Sequence, residues 1–264
     1  MEGEKVFKIV TPVWEKKFDV SPKPFVHPFY QTMFRKLYGL TEKDAERYIG
    51  KNGPITESSD FLIPLVKKVW EENKSFVHQF YDIRTSEETG QAAPEYTILK
   101  GAGIRDISPV NIRGMGSIAL PFGLQIIDTM VNVGDGALVL LVDKKHDFLH
   151  ERENIACAFA LYSCNDIDSQ DGIWIMNYQI HLTADEMCAA VKKFKGTAIF
   201  SEVELENFSV SCKYTLCSEH GLTEPLLYLF DRQKKAGEED ILMVSMAGNT
   251  YGLVLYHVLG KEVK

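Results

Sequence analysis

The chain has 264 residues, 45% hydrophobic content and a formal net charge of −8. A chain of this size can bury a sizeable core, and no linker or low-complexity run divides it, so we predict one domain over residues 1–264. The negative charge disfavours a nucleic-acid surface, because phosphate binding needs a basic field. The sequence contains no Walker loop, dinucleotide fingerprint or metal-ligand cluster, so we expect no metal and no nucleotide cofactor.

The cysteines and the first residues bear on the compartment. The five cysteines are an odd number without C-x-x-C spacing, which indicates neither a zinc site nor a disulfide framework and favours a reducing compartment. The first residues are charged, and no apolar run approaches the roughly 20 residues that cross a bilayer. We therefore predict a cytoplasmic protein without a signal peptide or membrane span.

The N-terminal part of the chain has a mixed α/β pattern. It begins with a short strand over Val6–Val10 and continues through a Pro-rich, aromatic stretch. A capping box at Thr41 predicts a short helix, and apolar residues from Leu62 to Trp70 at helical spacing predict another. A strand over Ser75–Ile83 and a polar loop over Thr85–Ala93 follow.

The most informative segment runs from Asn111 to Val142. Its pattern predicts an extended strand, a glycine-lined turn, an amphipathic helix ended by Gly134 and Gly136, and a strand over Ala137–Val142 that is buried on both faces. We take the buried stripe of the helix to be Ile118, Phe122, Gln125, Ile126, Thr129, Met130 and Val133.

Ser117 lies where the glycine-lined turn opens this helix. Unpaired N–H groups and the positive end of the helix dipole favour an anion at such a position, which suits a nucleophile in acyl transfer. Serine is also a preferred helix N-cap, and Gly116 already supplies the flexibility of the turn. Both interpretations of Ser117 remain open from the sequence.

The second part of the chain continues the α/β pattern. Strands are predicted over Ile155–Ser163 and Gly172–Leu182, followed by a helix that opens at Thr183 and ends at Gly196. The segment from Gly237 to Leu255 has the pattern of a charged turn, a buried strand, a glycine-bearing loop and a last strand.

These segments together resemble the thiolase superfamily, and most closely its β-ketoacyl-[acyl carrier protein] synthase III branch. The resemblance is carried by the 111–142 segment, by the loop Ala247–Gly252, and by Tyr214–Pro225 with the helix after it. It implies a layered αβαβα fold of two βαβαβ halves, about 1–168 and 169–264, with a shortened C-terminal half. Ser117 falls where the family carries its acyl-accepting cysteine.

The resemblance also implies site residues, and this chain departs from them. Ser218 stands where the family has an asparagine, His220 follows two places on, and the family's histidine motif is missing near Phe200–Ser201. Decarboxylative condensation is therefore not expected. A serine nucleophile needs a base, for which His220 is the first candidate, ahead of His181 and His257. The substrate-binding residues implied are Gly116, Gly248, Asn249 and Thr250.

Plainer interpretations stand beside these roles. His220 can be a surface residue and Gly248–Thr250 a simple turn, with the alternative that backbone N–H groups near Gly248 hold an oxyanion. Cys217 adjoins the loop predicted to face the site and is a possible replacement nucleophile, or an incidental thiol.

Two functional hypotheses follow from the resemblance. The first is a non-condensing acyltransferase of fatty acid or polyketide biosynthesis that uses Ser117 and takes an acyl-CoA or an acyl carrier protein thioester, without a further cofactor. The alternative is an inactive subunit that binds an acyl ligand or an active partner. For either hypothesis the resemblance implies a homodimer or a ketosynthase-like heterodimer. An acidic carrier would need a basic patch, for which Lys192, Lys193 and Lys195 or Lys144, Lys145 and Arg152 are candidates, with ordinary solvated faces as the plainer interpretation. A soluble α/β protein with only generic patterning is the third possibility.

Overall fold

The computed structural model describes residues 5–18, 36, 59–85, 94–144, 153–167, 171–201, 203, 212–217, 221–235 and 237–260. The helix predicted at Thr41, most of the polar loop after Thr85, and the predicted site residues Ser218 and His220 lie outside these residues. Lys145 and Arg152 of the second basic patch also lie outside them.

Ten strands and five helices are described. The strands are β1 (Val6–Phe18), β2 (Val77–Arg84), β3 (Pro109–Ile112), β4 (Gly136–Lys144), β5 (Glu153–Cys164), β6 (Gly172–Leu182), β7 (Thr197–Ser201), β8 (Lys213–Cys217), β9 (Glu238–Ala247) and β10 (Thr250–Leu259). The helices are α1 (Ser59–Asn73), α2 (Pro94–Gly101), α3 (Ala119–Met130), α4 (Ala184–Lys193) and α5 (Glu224–Gln233), and a single 3₁₀ turn (Gly116–Ile118) leads into α3. None of the described helices is long and apolar enough to span a membrane.

The strands follow the same order in both halves of the chain. The order is β3-β2-β4-β5-β1 in the first half and β8-β7-β9-β10-β6 in the second. In each half the first three strands of that order are parallel and the last two pairings are antiparallel. The halves meet where β1 pairs with β6, with Phe7 opposite Ile175. The prediction of one domain divided near residue 168 stays a prediction.

Three apolar clusters define the layers. The largest packs α3 and α5 between the inner faces of the two halves of the sheet. A second lies under α1 and α2 on the outer face of the first half, and a third lies under α4 on the outer face of the second half. The predicted αβαβα layering is thereby confirmed.

The buried face of α3 differs from the prediction. Leu120, Leu124 and Ile127 are buried, whereas Met130 of the predicted stripe is 56% exposed, and Gln125 and Thr129 are also exposed. The predicted stripe is wrong because it includes the polar Gln125 and Thr129, whereas Leu120, Leu124 and Ile127 recur at the i, i+4 and i+7 spacing of a buried helix face.

Element bounds were predicted with mixed success. β6 has the predicted bounds, and the capping box of Thr183 and Glu186 is formed as predicted. β1 runs on to Phe18 instead of stopping at Val10. α4 ends at Lys193, short of Gly196, because Phe194 already has extended backbone angles.

Candidate functional site

The turn before α3 depends on glycine and is tied to the end of β2. Gly114 and Gly116 have positive φ angles of 72° and 54°, a conformation that other residues rarely adopt. The Gly116 N–H donates to the Thr85 carbonyl at 3.3 Å. The turn therefore holds Ser117 in a defined place at the start of the central helix.

The Ser117 hydroxyl is buried and hydrogen-bonded on both sides. Its Oγ donates to the Met246 carbonyl at 2.8 Å and accepts from the Met246 N–H at 3.2 Å, and the residue has no exposed surface. β7 pairs with β9 only as far as Ser245, so Met246 is the first residue of β9 beyond that pairing. The Ser117 hydroxyl thus bonds to the backbone N–H and carbonyl of Met246, just beyond the last residue that pairs with β7.

The helix-cap interpretation of Ser117 is wrong. The N-cap positions of the 3₁₀ turn and of α3 are Met115 and Ile118, and neither carries a side-chain cap bond. The Ser117 side chain bonds to the other half of the molecule instead. Its possible role as an acyl acceptor stays a prediction.

Gly248, Asn249 and Thr250 lie at the hairpin between β9 and β10. Ala247 pairs directly with Thr250, so Gly248 and Asn249 form a tight two-residue turn, with φ of 59° at Gly248. Both turn residues are exposed. The N–H group that contacts Ser117 belongs to Met246, two residues before Gly248.

A buried carboxylate holds the start of α5. Asp143, at the end of β4, accepts from the N–H groups of Leu222 and Thr223 at 2.8 and 2.7 Å and from the Thr223 hydroxyl at 3.0 Å. A carboxylate at a helix N-terminus is also favoured by the helix dipole. Ser201 Oγ donates to the Gly221 carbonyl. Both contacts fix the chain directly after the predicted site residues Ser218 and His220.

These two arrangements occupy corresponding places in the two halves. β4 and β9 are the third strands of their orders, and α3 and α5 are the central helices that precede them. Ser117 before α3 bonds to β9, and Thr223 before α5 bonds to β4. Both places have the same sequence signal, which is a hydroxyl residue shortly before a helix that has a proline in its first turns. The signal does not indicate which distant residue the hydroxyl bonds to.

Cys217 faces the central layer and is a poor nucleophile. Its side chain is buried beside the start of α5. Burial, and secondarily the negative charge of Glu224, raise the pKa of the thiol from 9.0 to about 12. The thiol therefore stays protonated at neutral pH, which argues against a thiolate at this position.

Sequence reasoning missed a buried group of charges on the outer side of the first half. Arg84 Nε and Nη2 donate to the two oxygens of Asp82, each at 2.7 Å. Arg113 donates to Glu95, the second residue of α2, at 3.0 Å, and lies 3.6 Å from Asp82. The detectable signal was Asp82 and Arg84 two places apart in the C-terminal part of β2, where their neighbours Tyr81 and Ile83 are buried, which places both charges on one face. Within the described ranges no group of His, Cys, Asp and Glu is arranged to hold a metal ion.

Solved structures of known proteins agree with this fold. No protein-family model matches the sequence, and no curated protein matches it. Among solved structures, a variant of OleA from Xanthomonas campestris has a TM-score of 0.59 at 10% identity, covering 97% of this chain and 99% of its own. The acyltransferase ChlB3 has a TM-score of 0.57 at 12% identity, covering 97% and 98%. The 3-oxoacyl-[acyl-carrier-protein] synthase III of Aquifex aeolicus has a TM-score of 0.55 at 13% identity, covering 95% and 99%.

The similarity to these solved structures shows which class of fold the chain has. It has the thiolase-like fold of the β-ketoacyl synthase III type, which confirms the resemblance found in the sequence. At such low identities the likeness shows the fold alone, so activity and substrate have to be argued from the residues of this chain.

Proposed function

We propose that the chain is a thiolase-fold subunit without acyl-transfer chemistry of its own, which acts by pairing with an acyl-handling partner. The observation that carries the proposal is the state of Ser117, which is fully buried and hydrogen-bonded on both sides to Met246. The residue aligned with the family's nucleophile thereby serves as a structural link between the halves.

The chemistry of the hydroxyl supports this role. A serine becomes a nucleophile when a base takes its proton, and here that proton is donated to a peptide carbonyl, which is not a base at neutral pH. Attack on a thioester would also leave the Met246 N–H and carbonyl without the serine partner. An unpaired buried group costs about 1–3 kcal/mol. The arrangement therefore stabilises the resting serine and opposes its reaction.

The partner in this proposal is a second thiolase-fold chain, either an identical copy or an active ketosynthase-like subunit. β3 is the edge strand of the first half in the described sheet, and its Asn111 is exposed. An edge strand presents unpaired backbone groups that a partner strand can complete. The acyl-CoA or acyl carrier protein thioester would be bound by the pair, in the cytoplasm.

A second candidate function is acyl transfer through Ser117. It is favoured by the position of Ser117 at the start of the central helix, next to a backbone donor on the strand that enters the closing hairpin. ChlB3, one of the structural neighbours, is described as an acyltransferase. In this alternative Ser117 Oγ attacks the thioester carbonyl, a base such as His220 takes the hydroxyl proton, and the thiol leaves to give an acyl-serine ester.

One experiment separates the two. The native chain, Ser117→Ala and Ser245→Ala are incubated with acyl-CoA and acyl carrier protein thioesters, and the intact mass is measured. Ser245→Ala is the matched control, since it also removes a fully buried hydroxyl, one that contacts Gly252. An adduct that persists in Ser245→Ala and vanishes in Ser117→Ala establishes the acyltransferase and overturns our proposal. We expect no adduct in any of the three chains. Sedimentation equilibrium is expected to show a dimer of the chain alone, or a complex when an active ketosynthase-like subunit is added.

A further inference from the structure

β8 is the edge strand of the second half in the described sheet, and it presents two large apolar side chains to solvent. Tyr214 is 49% exposed and Leu216 is 54% exposed. They pair with Ala198 and Phe200 of β7, which belong to the apolar cluster under α4, so both lie on the outer face of the sheet. The Tyr214 ring packs edge-to-face on Phe200, with ring centroids 5.9 Å apart. An exposed apolar pair thus lies beside a backbone edge that no strand of the described sheet covers.

The corresponding edge of the first half is covered on its outer face. There α2 packs against the edge strand β3, and its Ile98 and Leu99 are buried. At the corresponding place in the second half, Tyr214 and Leu216 are about half exposed. β8 contains no proline, so its outer backbone edge can both donate and accept hydrogen bonds. A further strand beside β8 would shield its apolar pair, as α2 shields the outer face at β3.

The other face of β8 has an exposed cation at one end and a carboxylate oxygen without a partner at the other. Lys213 is exposed and lies on the same face as Cys217, four residues further on. Glu224, the first residue of α5, is close enough to Cys217 for its negative charge to raise the pKa of the thiol. Among the described residues, Glu224 Oε2 is buried without a hydrogen-bond partner. An ammonium group from another chain would satisfy this oxygen.

We propose that β8 pairs with β8 of a second copy of the chain, antiparallel and about a twofold axis at Thr215. This register places Tyr214 opposite Leu216 of the second copy, and the axis repeats the contact, so that both exposed apolar side chains gain cross-strand neighbours. It also places Lys213 opposite Cys217 of the second copy, within reach of Glu224 there. A lysine on an edge strand usually discourages pairing, but here the register offers it a carboxylate. β8 is therefore complementary to itself in both its apolar and its charged residues.

Pairing at β8 would continue the sheet from one copy into the next. β8 lies at the opposite end of the sheet from β3, so the pairing depends neither on the role proposed for Ser117 nor on the partner at β3. If β3 also pairs with an identical copy, two twofold contacts at opposite ends of one sheet produce a linear array and not a closed dimer. Five residues make a small interface, so we expect the association at β8 to be weak and to increase with concentration.

The first test exchanges charges between chains. Lys213→Glu and Glu224→Lys are each expected to weaken the association at β8 by at least about tenfold, because like charges then meet across the axis. An equimolar mixture of the two variants should associate, since each introduced charge then faces its opposite. Lys68→Glu, the same change at an exposed position of α1, is the control and should associate as the native chain does. Sedimentation velocity over a concentration series measures the association, and thermal unfolding establishes that each variant is folded.

Leu216→Lys tests the apolar contact and leaves Glu224 unchanged. If β3 pairs with an identical copy, the native chain is expected to exceed the dimer at high concentration, and Leu216→Lys stops at the dimer. If β3 takes no identical copy, the native chain forms a dimer and Leu216→Lys stays a monomer. The same series of measurements therefore distinguishes a failure of pairing at β3 from a failure of pairing at β8.

Three outcomes would overturn the proposal. The first is a native chain that associates no more than folded Leu216→Lys at every concentration. The second is a mixture of folded Lys213→Glu and Glu224→Lys that does not associate although the native chain does. The third is a chain that does not associate with itself but binds a fluorescent valine–threonine strand peptide, with binding lost in Leu216→Lys, which would assign the edge to a strand of a different protein.

Discussion

Across the boundary between the two halves of the fold, the Ser117 hydroxyl donates to the Met246 carbonyl at 2.8 Å and accepts from the Met246 N–H at 3.2 Å. A hydroxyl can both donate and accept, so it satisfies the N–H and the carbonyl of Met246, as the backbone of a neighbouring strand would. Ser117, which the family resemblance links to acyl transfer, therefore connects the turn before α3 to β9 in this chain.

Ser117→Ala is expected to lower the free energy of unfolding by about 1–3 kcal/mol, because it leaves the Met246 N–H and carbonyl without the serine partner. Urea denaturation measures the change. Ser245→Ala should cost less, since the Ser245 hydroxyl makes a longer contact of 3.3 Å to the Gly252 carbonyl. A Ser117→Ala chain as stable as the native one would mean that the pair with Met246 is not maintained in solution.

Asp143 should contribute more to stability than Ser117. Its carboxylate accepts three hydrogen bonds at the start of α5, and hydrogen bonds to charged groups contribute about 1.5–3 kcal/mol each. Asp143→Ala is expected to destabilise the chain by about 3 kcal/mol or more, and Asp143→Asn by less, since an amide oxygen still accepts. Hydrogen exchange provides a local measurement, in which the amides of Leu222 and Thr223 should lose protection first. Unchanged protection of both amides in Asp143→Ala would contradict the assignment.

The buried pair of Asp82 and Arg84 makes a different prediction. Arg84→Met removes the guanidinium that pairs with both oxygens of the buried Asp82 carboxylate and leaves the Arg113 contact of 3.6 Å. The variant is expected to cost about 3–5 kcal/mol, and the double change of Asp82→Leu with Arg84→Met less than that. Lys234→Met is the control, because its partner Asp231 is exposed and such pairs contribute about 0–1 kcal/mol. Denaturant midpoints of the four chains give the comparison. A double variant less stable than Arg84→Met would refute the expectation.

Local patterns predicted the elements that depend on neighbours in the chain. The alternation of β6 predicted its bounds, and the capping box of Thr183 and Glu186 needs only residues three places apart. The hairpin of β9 and β10 was predicted from the resemblance of Gly237–Leu255 to the closing hairpin of the family, and its two-residue turn is likewise local. Such features are encoded within a few residues, so no knowledge of the tertiary packing was required.

The contacts that define the candidate site are of another kind. Ser117 and Met246 are 129 residues apart in the chain, and Asp143 and Thr223 are 80 apart. A serine before a helix looks the same in sequence whether it caps that helix, attacks a thioester or bonds to a distant strand. The buried face of α3 was misassigned for a different reason, because the predicted stripe included the polar Gln125 and Thr129 and not the helically spaced Leu120, Leu124 and Ile127.

Close packing of α3 against β10 predicts a strict need for glycine at one position. A Cβ at Gly252 would lie 2.7 Å from Pro121 Cγ, in a rigid ring, and 3.1 Å from Ser245 Oγ. Gly252→Ala should therefore cost about 1–3 kcal/mol by overpacking. At Gly123 the nearest atom is the terminal methyl of Ile83, at 2.6 Å, which can turn aside, so Gly123→Ala is expected to cost less. Thermal unfolding of the two variants decides the order, and a more damaging Gly123→Ala would contradict this account.

The thiol of Cys217 predicts a loss of stability at alkaline pH. Burial, followed by the charge of Glu224, raises its pKa from 9.0 to about 12 in the folded chain. As the pH rises from 9 towards 12, the unfolded chain loses this proton while the folded chain keeps it, so the folded state binds more protons and its stability falls. The stability that the Cys217 thiol contributes is fully present below pH 9. Cys217→Ala removes it, so the free energy of unfolding, measured by urea titration between pH 8 and 11, should fall less steeply in the variant. Tyr81, whose pKa burial raises from 10.0 to about 12, keeps its own contribution in both chains. Equal slopes for the native chain and the variant would mean that the Cys217 thiol is not buried in solution.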